Sequence, residues 1–389
     1  MLEKLFRQIK KHTSIESPLL ELLIYYFSGR AGGSRRINAI DSAKDKVQHQ
    51  LSESEKDYQN DVLPVIWDFA ARPYALGDIL TTLIDWTVKA EKQNKKWLDI
   101  YVVATPERPA SAKQPYIGSL NFEKFLFELL PAFNFCPIVR NVHLIRSREQ
   151  MERTLLAWNY HRIDSSPTLN QYNDELNRQQ PFMGDFKNIK AYFDEHKSVP
   201  RFRQLKSESP LKDELLFGFK PDSIFVTVHI RQRSKEVHSQ HGGALYRDSD
   251  QDVWLEFINQ TAKNHPNVVF VVVGRLAEFT RKLYNCHNVV ILKHYGLGLI
   301  DELSAIQHSD LFMGGISGPA MFAMFTQTPY FLFQGESSAQ EAATYFNENL
   351  GEESPFFTLA TQKIKWLTPS VNDLNHYLDN FINNKKEVT

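Results

Sequence analysis

The run "NVVFVVVG", Asn267 to Gly274, constrains this chain more than any other stretch. Its unbroken Val and Phe residues leave no polar face. A half-exposed strand alternates, whereas a continuous apolar strand must be covered on both faces, as strands of parallel sheets flanked by helices are. The run is also too short for a buried helix and is rich in β-branched residues. The same texture recurs in "SIFVTVHI", "NVVIL", "DLFMG" and "PYFLFQ", and earlier in "VLPVIWDFA" and "WLDIYVVAT". Segments with helical spacing lie between them. In "ILTTLIDWTVKAEKQ", Ile79, Leu80, Leu83, Ile84 and Val88 fall near one face, and Leu299, Leu303 and Ile306 do so in "LIDELSAIQHS". Strand, helix, strand repeated along the chain predicts an α/β fold with parallel sheets.

The pattern runs twice. A chain of 389 residues exceeds one compact core. We read residues 61–215 as a first α/β domain and 216–389 as a second. The segment 150–215, polar and rich in Gln, Asn and Asp, forms helices and loops between them. The helix "VNDLNHYLDNFI" is expected to complete no sheet of its own. Residues 1–60 read as a helical N-terminal extension containing "LEKLFRQIKK", "SPLLELLIYYF" and the basic linker "SGRAGGSRR". Its two helices either pack on the first domain or, through residues 1–36, meet a membrane surface or partner.

Bulk composition excludes several classes. The formal net charge of −1 supplies no basic field for nucleic acid. Cys136 and Cys286 form no CxxC pair, so neither a zinc ribbon nor a disulfide framework is expected, and reduced thiols point to the cytoplasm. No run reaches the roughly 18–20 apolar residues that span a bilayer, and "LLELLIYYF" is broken by Glu21 and lacks a cleavage site for a signal peptide.

Open parallel sheets bind ligands beyond the carboxyl ends of their strands, so site candidates are sought there. After 311–313 come Gly314, Gly315, Ile316, Ser317, Gly318 and Pro319. Pro suits a first helical turn. The amides around Ser317 and Gly318, with the helix dipole, suit a phosphate or carboxylate; alternatively, Ser317 caps a tight strand–helix turn. After 224–230 comes "HIRQRSKEVHSQHGGALYRDSD", in which His229, Arg231 and Arg233 alternate onto one side of an extended chain, with Arg247 further on. Arginine forks match phosphate oxygens. His238 and His241 lack the further ligands of a metal shell. The motif Asp248-Ser249-Asp250 precedes a helix, so Ser249 or Asp250 as N-cap explains it better than a metal-binding DxD. After 65–70, Asp78 follows Gly77 at a helix start, where it either caps the helix or takes a proton from a substrate hydroxyl. Arg72 nearby suits an anionic group.

Together these features resemble the GT-B glycosyltransferases, and within them the bacterial heptosyltransferase-like group. "ALGDIL", residues 75–80, is similar to that group's "GALGD" loop and following helix. "SDLFMGGISGP", residues 309–319, is similar in part to "aDLxxGxDSGPxHxA". Here Ile316 replaces the acidic residue and Met321 the histidine. "HIRQR" resembles the HxRR element of GDP-fucose-using transferases, and "HIR…YRDSD" that of bacterial surface-polysaccharide transferases. The likeness covers roughly 62–145 and 220–340.

The resemblance implies two tandem Rossmann-like domains and metal-independent, inverting transfer of a sugar from a nucleotide-sugar to a glycan or glycolipid hydroxyl. No cofactor is implied. The work would belong to bacterial surface polysaccharide synthesis, in the cytoplasm or at the periphery of the inner membrane. Asp78 would be the base, and the acceptor would dock near it and near the 105–118 loop. Arg231, Arg233, Arg247, Gly315, Ser317 and Gly318 would hold the donor, and His229 would orient a phosphate or hydroxyl. Arg275, after the 268–273 strand, would serve phosphate or base, and Glu302 the ribose. A sugar-nucleotide epimerase or hydrolase of the same fold, or a non-catalytic nucleotide-sugar-binding protein, are the alternatives.

Overall fold

A computed structural model describes residues 61–105, 117–160, 166–177, 186–204, 220, 222–232, 248–335 and 355–388. The N-terminal extension, Arg233, His238, His241, Arg247 and most of the 105–118 loop lie outside the described residues.

Two all-parallel sheets carry the fold. Strands β1 (Val62–Asp68), β2 (Trp97–Val103) and β3 (Val139–Ile145) form the first, in the order β1-β2-β3. Helix α1 (Leu76–Lys92) links β1 to β2, and α2 (Phe122–Leu129) with a 3-10 turn, Leu130–Phe135, precedes β3. The polar middle segment supplies α3 (Arg148–Tyr160), α4 (Leu169–Asn177) and α5 (Phe186–His196). The second sheet has six strands in the order β6-β5-β4-β7-β8-β9: β4 (Ile224–His229), β5 (Val268–Val272), β6 (Val289–Ile291), β7 (Leu311–Gly314), β8 (Tyr330–Phe333) and β9 (Gln362–Lys365). Helix α6 (Gln251–Asn264) lies between β4 and β5, α7 (Leu299–His308) between β6 and β7, and α8 (Gly318–Met324) between β7 and β8. Helix α9 (Val371–Val388) follows β9.

The continuous apolar runs are explained by where their side chains go. In β5, Val269 and Val271 enter one core while Val268, Phe270 and Val272 enter another, so successive residues are buried on opposite faces. In β1, Leu63, Val65 and Trp67 join the first of those cores, and Val62 and Ile66 a third. The largest core therefore contains residues from both sheets. Helices α1 and α8 meet within it, as do the rings of Phe135, Phe202 and Phe322.

Three details differ from expectation. The segment before the last helix is a sixth strand, β9, paired with β8. Its sequence, "QKIK", buries only alternate residues, so it carries no continuous apolar signal. Between β5 and β6, where the strand–helix–strand alternation predicts an α-helix, stand two 3-10 turns, Leu276–Glu278 and Arg281–Asn285. Arg72 is buried, donates from Nε to Glu175 Oε1 at 2.6 Å and lies over the Trp67 and Trp86 rings, so it is a packing element of α1 and α4. Asp250 caps α6 by accepting from the amides of Asp252 and Val253. No helix among the described residues is long and apolar enough to cross a membrane, and among them no group of three or more His, Cys, Asp or Glu is placed to hold a metal.

Candidate functional site

Counted from β4, the second sheet runs 3-2-1-4-5-6, with the order reversing between β4 and β7. In doubly wound sheets the crevice beyond such a reversal receives the ligand. His229 ends β4 there, in register with Gly314 at the end of β7. The residues that follow β4, β5, β6 and β7 line one end of the sheet.

His229 is buried, at 4% exposure. Its Nε2 lies 3.6 Å from Glu278 Oε2, and its Nδ1 is enclosed without a hydrogen-bond partner among the described residues. Gly274, just beyond β5, makes room for the ring. Its φ is +118°, and a Cβ there would come within 2.8 Å of His229 Cδ2. Only glycine takes that conformation without strain. Burial opposes ionisation of Glu278. Even so, the facing His229 ring, the Arg275 guanidinium and the Arg275 amide hold its carboxyl down to about 2.

The Gly274 amide donates to Glu302 Oε1 at 2.8 Å, and Lys293 Nζ, beyond β6, lies 3.2 Å from Glu302 Oε2. Burial raises the Glu302 carboxyl above its ordinary range, against the pull of Lys293 and that amide. Arg231 is buried and donates from Nε to Asp248 Oδ1 at 3.3 Å; its carbonyl accepts from the Ser249 amide at 2.7 Å. Arg275 reaches toward the first sheet: Nη2 is 3.6 Å from Glu128 Oε2, and the guanidinium lies over the Phe125 ring.

The loop after β7 meets the first sheet's α1. A Cβ on Gly318 would come within 2.9 Å of Leu76 Cβ, and one on Gly77 would lie 3.6 Å from Gly318 Cα. The close approach that requires Gly318 is thus to α1. Ser317 is the N-cap of α8, its Oγ accepting from the Ala320 amide at 3.4 Å, and the Ile316 amide donates to Gln334 Oε1 at 3.1 Å. With seven residues, α8 contributes little dipole; Gly315 lies half-buried beside the cap. Asp78 occupies the first turn of α1, where Ala75 is the N-cap and makes no side-chain cap. The first turn of α1, which carries Asp78, therefore meets Gly318 of the loop after β7, and His229 lies beside Gly274 and Gly314. Glu278 and Lys293 escaped the sequence reading because each is a lone charge, tied to its partner only in three dimensions.

No family model matches the sequence, and no curated protein matches it either. Among solved structures the chain is similar to the heptosyltransferase WaaC of E. coli, solved with ADP-2-deoxy-2-fluoro heptose, at 10% identity over 82% of this chain and 99% of that one, with a TM-score of 0.41. It is similar to the glycosyl transferase family 9 protein of Veillonella parvula at 11% identity, over 83% and 98%, with a TM-score of 0.45. It is also similar to S. aureus MnaA, solved with UDP, at 11% identity, over 84% and 89%, with a TM-score of 0.38.

Glu278 gives a pH prediction. Its carboxyl is depressed from 4.5 to about 2 in the fold, so its contribution to stability is complete above about pH 4.5 and is lost as pH falls through about 2. The stability difference between the wild-type protein and Glu278→Gln is expected to shrink over that window in denaturant titrations. A difference independent of pH there would contradict the pairing with His229.

Proposed function

We propose that the chain is a metal-independent, inverting glycosyltransferase of GT-B type, which binds a nucleotide-sugar at the end of the six-stranded sheet and an acceptor hydroxyl beside α1. The observation that carries this reading is the strand reversal between β4 and β7, with buried His229 and Arg231 emerging from β4 and the first turn of α1, which carries Asp78, packed against Gly318 in the loop after β7. A diphosphate is the ligand whose charge and breadth suit an arginine at such a crevice.

In the proposed reaction, Asp78 takes the proton of the acceptor hydroxyl as its oxygen attacks the anomeric carbon. The new C–O bond forms as the bond from that carbon to the phosphate oxygen breaks. The nucleoside diphosphate leaves with the electron pair. Arg231, oriented by Asp248 through Nε, and Arg233 and Arg247, farther along the sequence, take up the negative charge that develops. This role falls to a metal in other folds. The nearby acidic motif is otherwise employed: Asp250 caps α6 and Asp248 pairs with Arg231. The reading extends to a glycan or glycolipid acceptor in bacterial surface polysaccharide synthesis, with the protein in the cytoplasm or at the inner face of the membrane.

A second reading has an observation of its own. His229, Glu278 and Glu302 gather acid–base groups beside the second sheet alone, which suits a sugar-nucleotide epimerase or hydrolase. Incubation with a nucleotide-sugar and no acceptor separates the two: an epimer or free nucleotide would favour this second reading.

Two variants test the transferase. Arg231→Ala is expected to weaken nucleoside diphosphate binding by about 1.5–3 kcal/mol, and unchanged affinity in the folded variant would refute the donor site. Asp78→Asn is expected to keep donor binding while kcat falls at least about a hundredfold. Turnover within a few-fold of the wild-type rate would place the base elsewhere.

A further inference from the structure

We infer that α4, a helix of the polar middle segment, is a clamp that fixes the turn between β1 and α1 and thereby positions Asp78. The inference rests on the assignment of Asp78 as base, but its geometry stands apart. Two side chains of α4, Tyr172 and Glu175, lie three residues apart and therefore on one helix face. The Tyr172 hydroxyl donates to Asp68 Oδ2 at 2.6 Å, and Glu175 accepts from Arg72 Nε at 2.6 Å. Asp68 and Arg72 bracket the turn that leads into α1.

Asp68 is the organising group of that turn. Its Oδ1 accepts from the Ala70 amide at 2.7 Å, and its backbone carbonyl accepts from the amides of Ala71 and Arg72 at 3.0 and 2.8 Å. Arg148 of α3 adds Nε at 3.4 Å from Asp68 Oδ2 and reaches Thr105, just beyond β2, with Nη2 at 3.2 Å. The carboxyl is buried, and burial raises it above its ordinary range, while Tyr172, the Ala70 amide and Arg148 pull the other way. The turn continues through stacked Phe69 and Tyr74, 4.0 Å between centroids, to Ala75, whose carbonyl accepts from the Ile79 amide at 3.2 Å. Asp78 sits within that first helical turn.

Helix α4 has its own means of docking. Tyr172 is in the core formed with Met151, Leu155 and Trp158, and Leu169 and Leu176 pack against it. A helix needed only to cover that core requires neither a phenol hydroxyl nor a carboxylate aimed at the turn. Tyr172, Glu175 and Asp68 are therefore positioning residues for Asp78.

Hydrogen exchange on the full chain, comparing the wild-type protein with Tyr172→Phe, Glu175→Gln and the double variant, tests this. Each change keeps the apolar packing, and Glu175→Gln is half-exposed should Tyr172→Phe fold poorly. Exchange across residues 69–79 is expected to quicken about tenfold in the double variant, with β4 to β7 unaltered. Acceptor-dependent release of nucleoside diphosphate from UDP-, GDP- and ADP-hexoses, with bacterial surface glycan added as acceptor, is read alongside: kcat is expected to fall at least fivefold with donor KM within twofold. Unaltered exchange at 69–79, or faster exchange confined to α3 and α4, would overturn the clamp. So would a fall in turnover that only tracks the folded fraction. Asp78→Asn measured on the same hexoses keeps the two ideas apart. If it retains turnover, the base assignment fails and exchange still decides the clamp. If it is inactive while the double variant exchanges and turns over normally, the clamp alone fails.

Discussion

The first turns of α1 and α8 approach almost to backbone contact, and the candidate site depends on that approach. A side chain on Gly318 would strike Leu76, and one on Gly77 would press on Met321 at 3.2 Å. The approach requires glycine at 318, where a Cβ would meet Leu76 at 2.9 Å, whereas a Cβ at position 77 would need only the Met321 side chain to give way. The consequence is chemical as well as steric. Asp78 follows one of these glycines and Ser317 precedes the other, so the contact brings the start of α1 to the switch-point loop of the other sheet. The shared core behind the contact, with inner-face residues of both sheets, holds the arrangement.

Around that contact the charged groups are arranged in buried or half-buried pairs. His229 faces Glu278, Glu302 faces Lys293, and Arg231 faces Asp248. Buried ions are costly unless paired. The His229–Glu278 pair joins the end of β4 to the residues after β5, and Glu302, paired with Lys293 after β6, also accepts from the Gly274 amide after β5, while Arg231 and Asp248 lie within the one connection after β4. The first two ties hold neighbouring strand ends in register with one another while the sheet holds the strands. His229 is the exception in having a ring nitrogen without a hydrogen-bond partner among the described residues. On the first sheet the corresponding pairs, Tyr172 with Asp68 and Glu175 with Arg72, tie the β1–α1 turn to a helix more than a hundred residues away in sequence.

The fold was legible where burial is two-sided. Runs such as 268–273 and 311–313 declare a parallel sheet because no polar residue interrupts them. β9 was illegible for the opposite reason: at the sheet edge, "QKIK" buries Gln362 and Ile364 and leaves Lys363 exposed. Of the site, strand-end residues could be read because position after a strand is a local signal: Asp78, His229, Arg231, Arg275, Glu302 and Ser317. Their partners could not. Glu278 sits in a 3-10 turn, and Tyr172 and Glu175 lie in a helix too polar overall to stand out in the sequence. The glycine at 318 was visible, but its reason was not, since a phosphate and a neighbouring helix ask for the same missing side chain.

We propose that a nucleoside diphosphate binds at the β4–β7 reversal without a divalent ion. A thermal-denaturation screen against UDP, GDP, CMP and ADP, in excess chelator, tests it most directly. A ligand bound only by the folded state stabilises by RT ln(1 + [L]/Kd), about 2.7 kcal/mol at a hundred times Kd. The account predicts that at least one nucleoside diphosphate raises Tm progressively with concentration in the presence of chelator. No shift with any of them up to millimolar concentration, or a shift that appears only on adding magnesium or manganese, would contradict it.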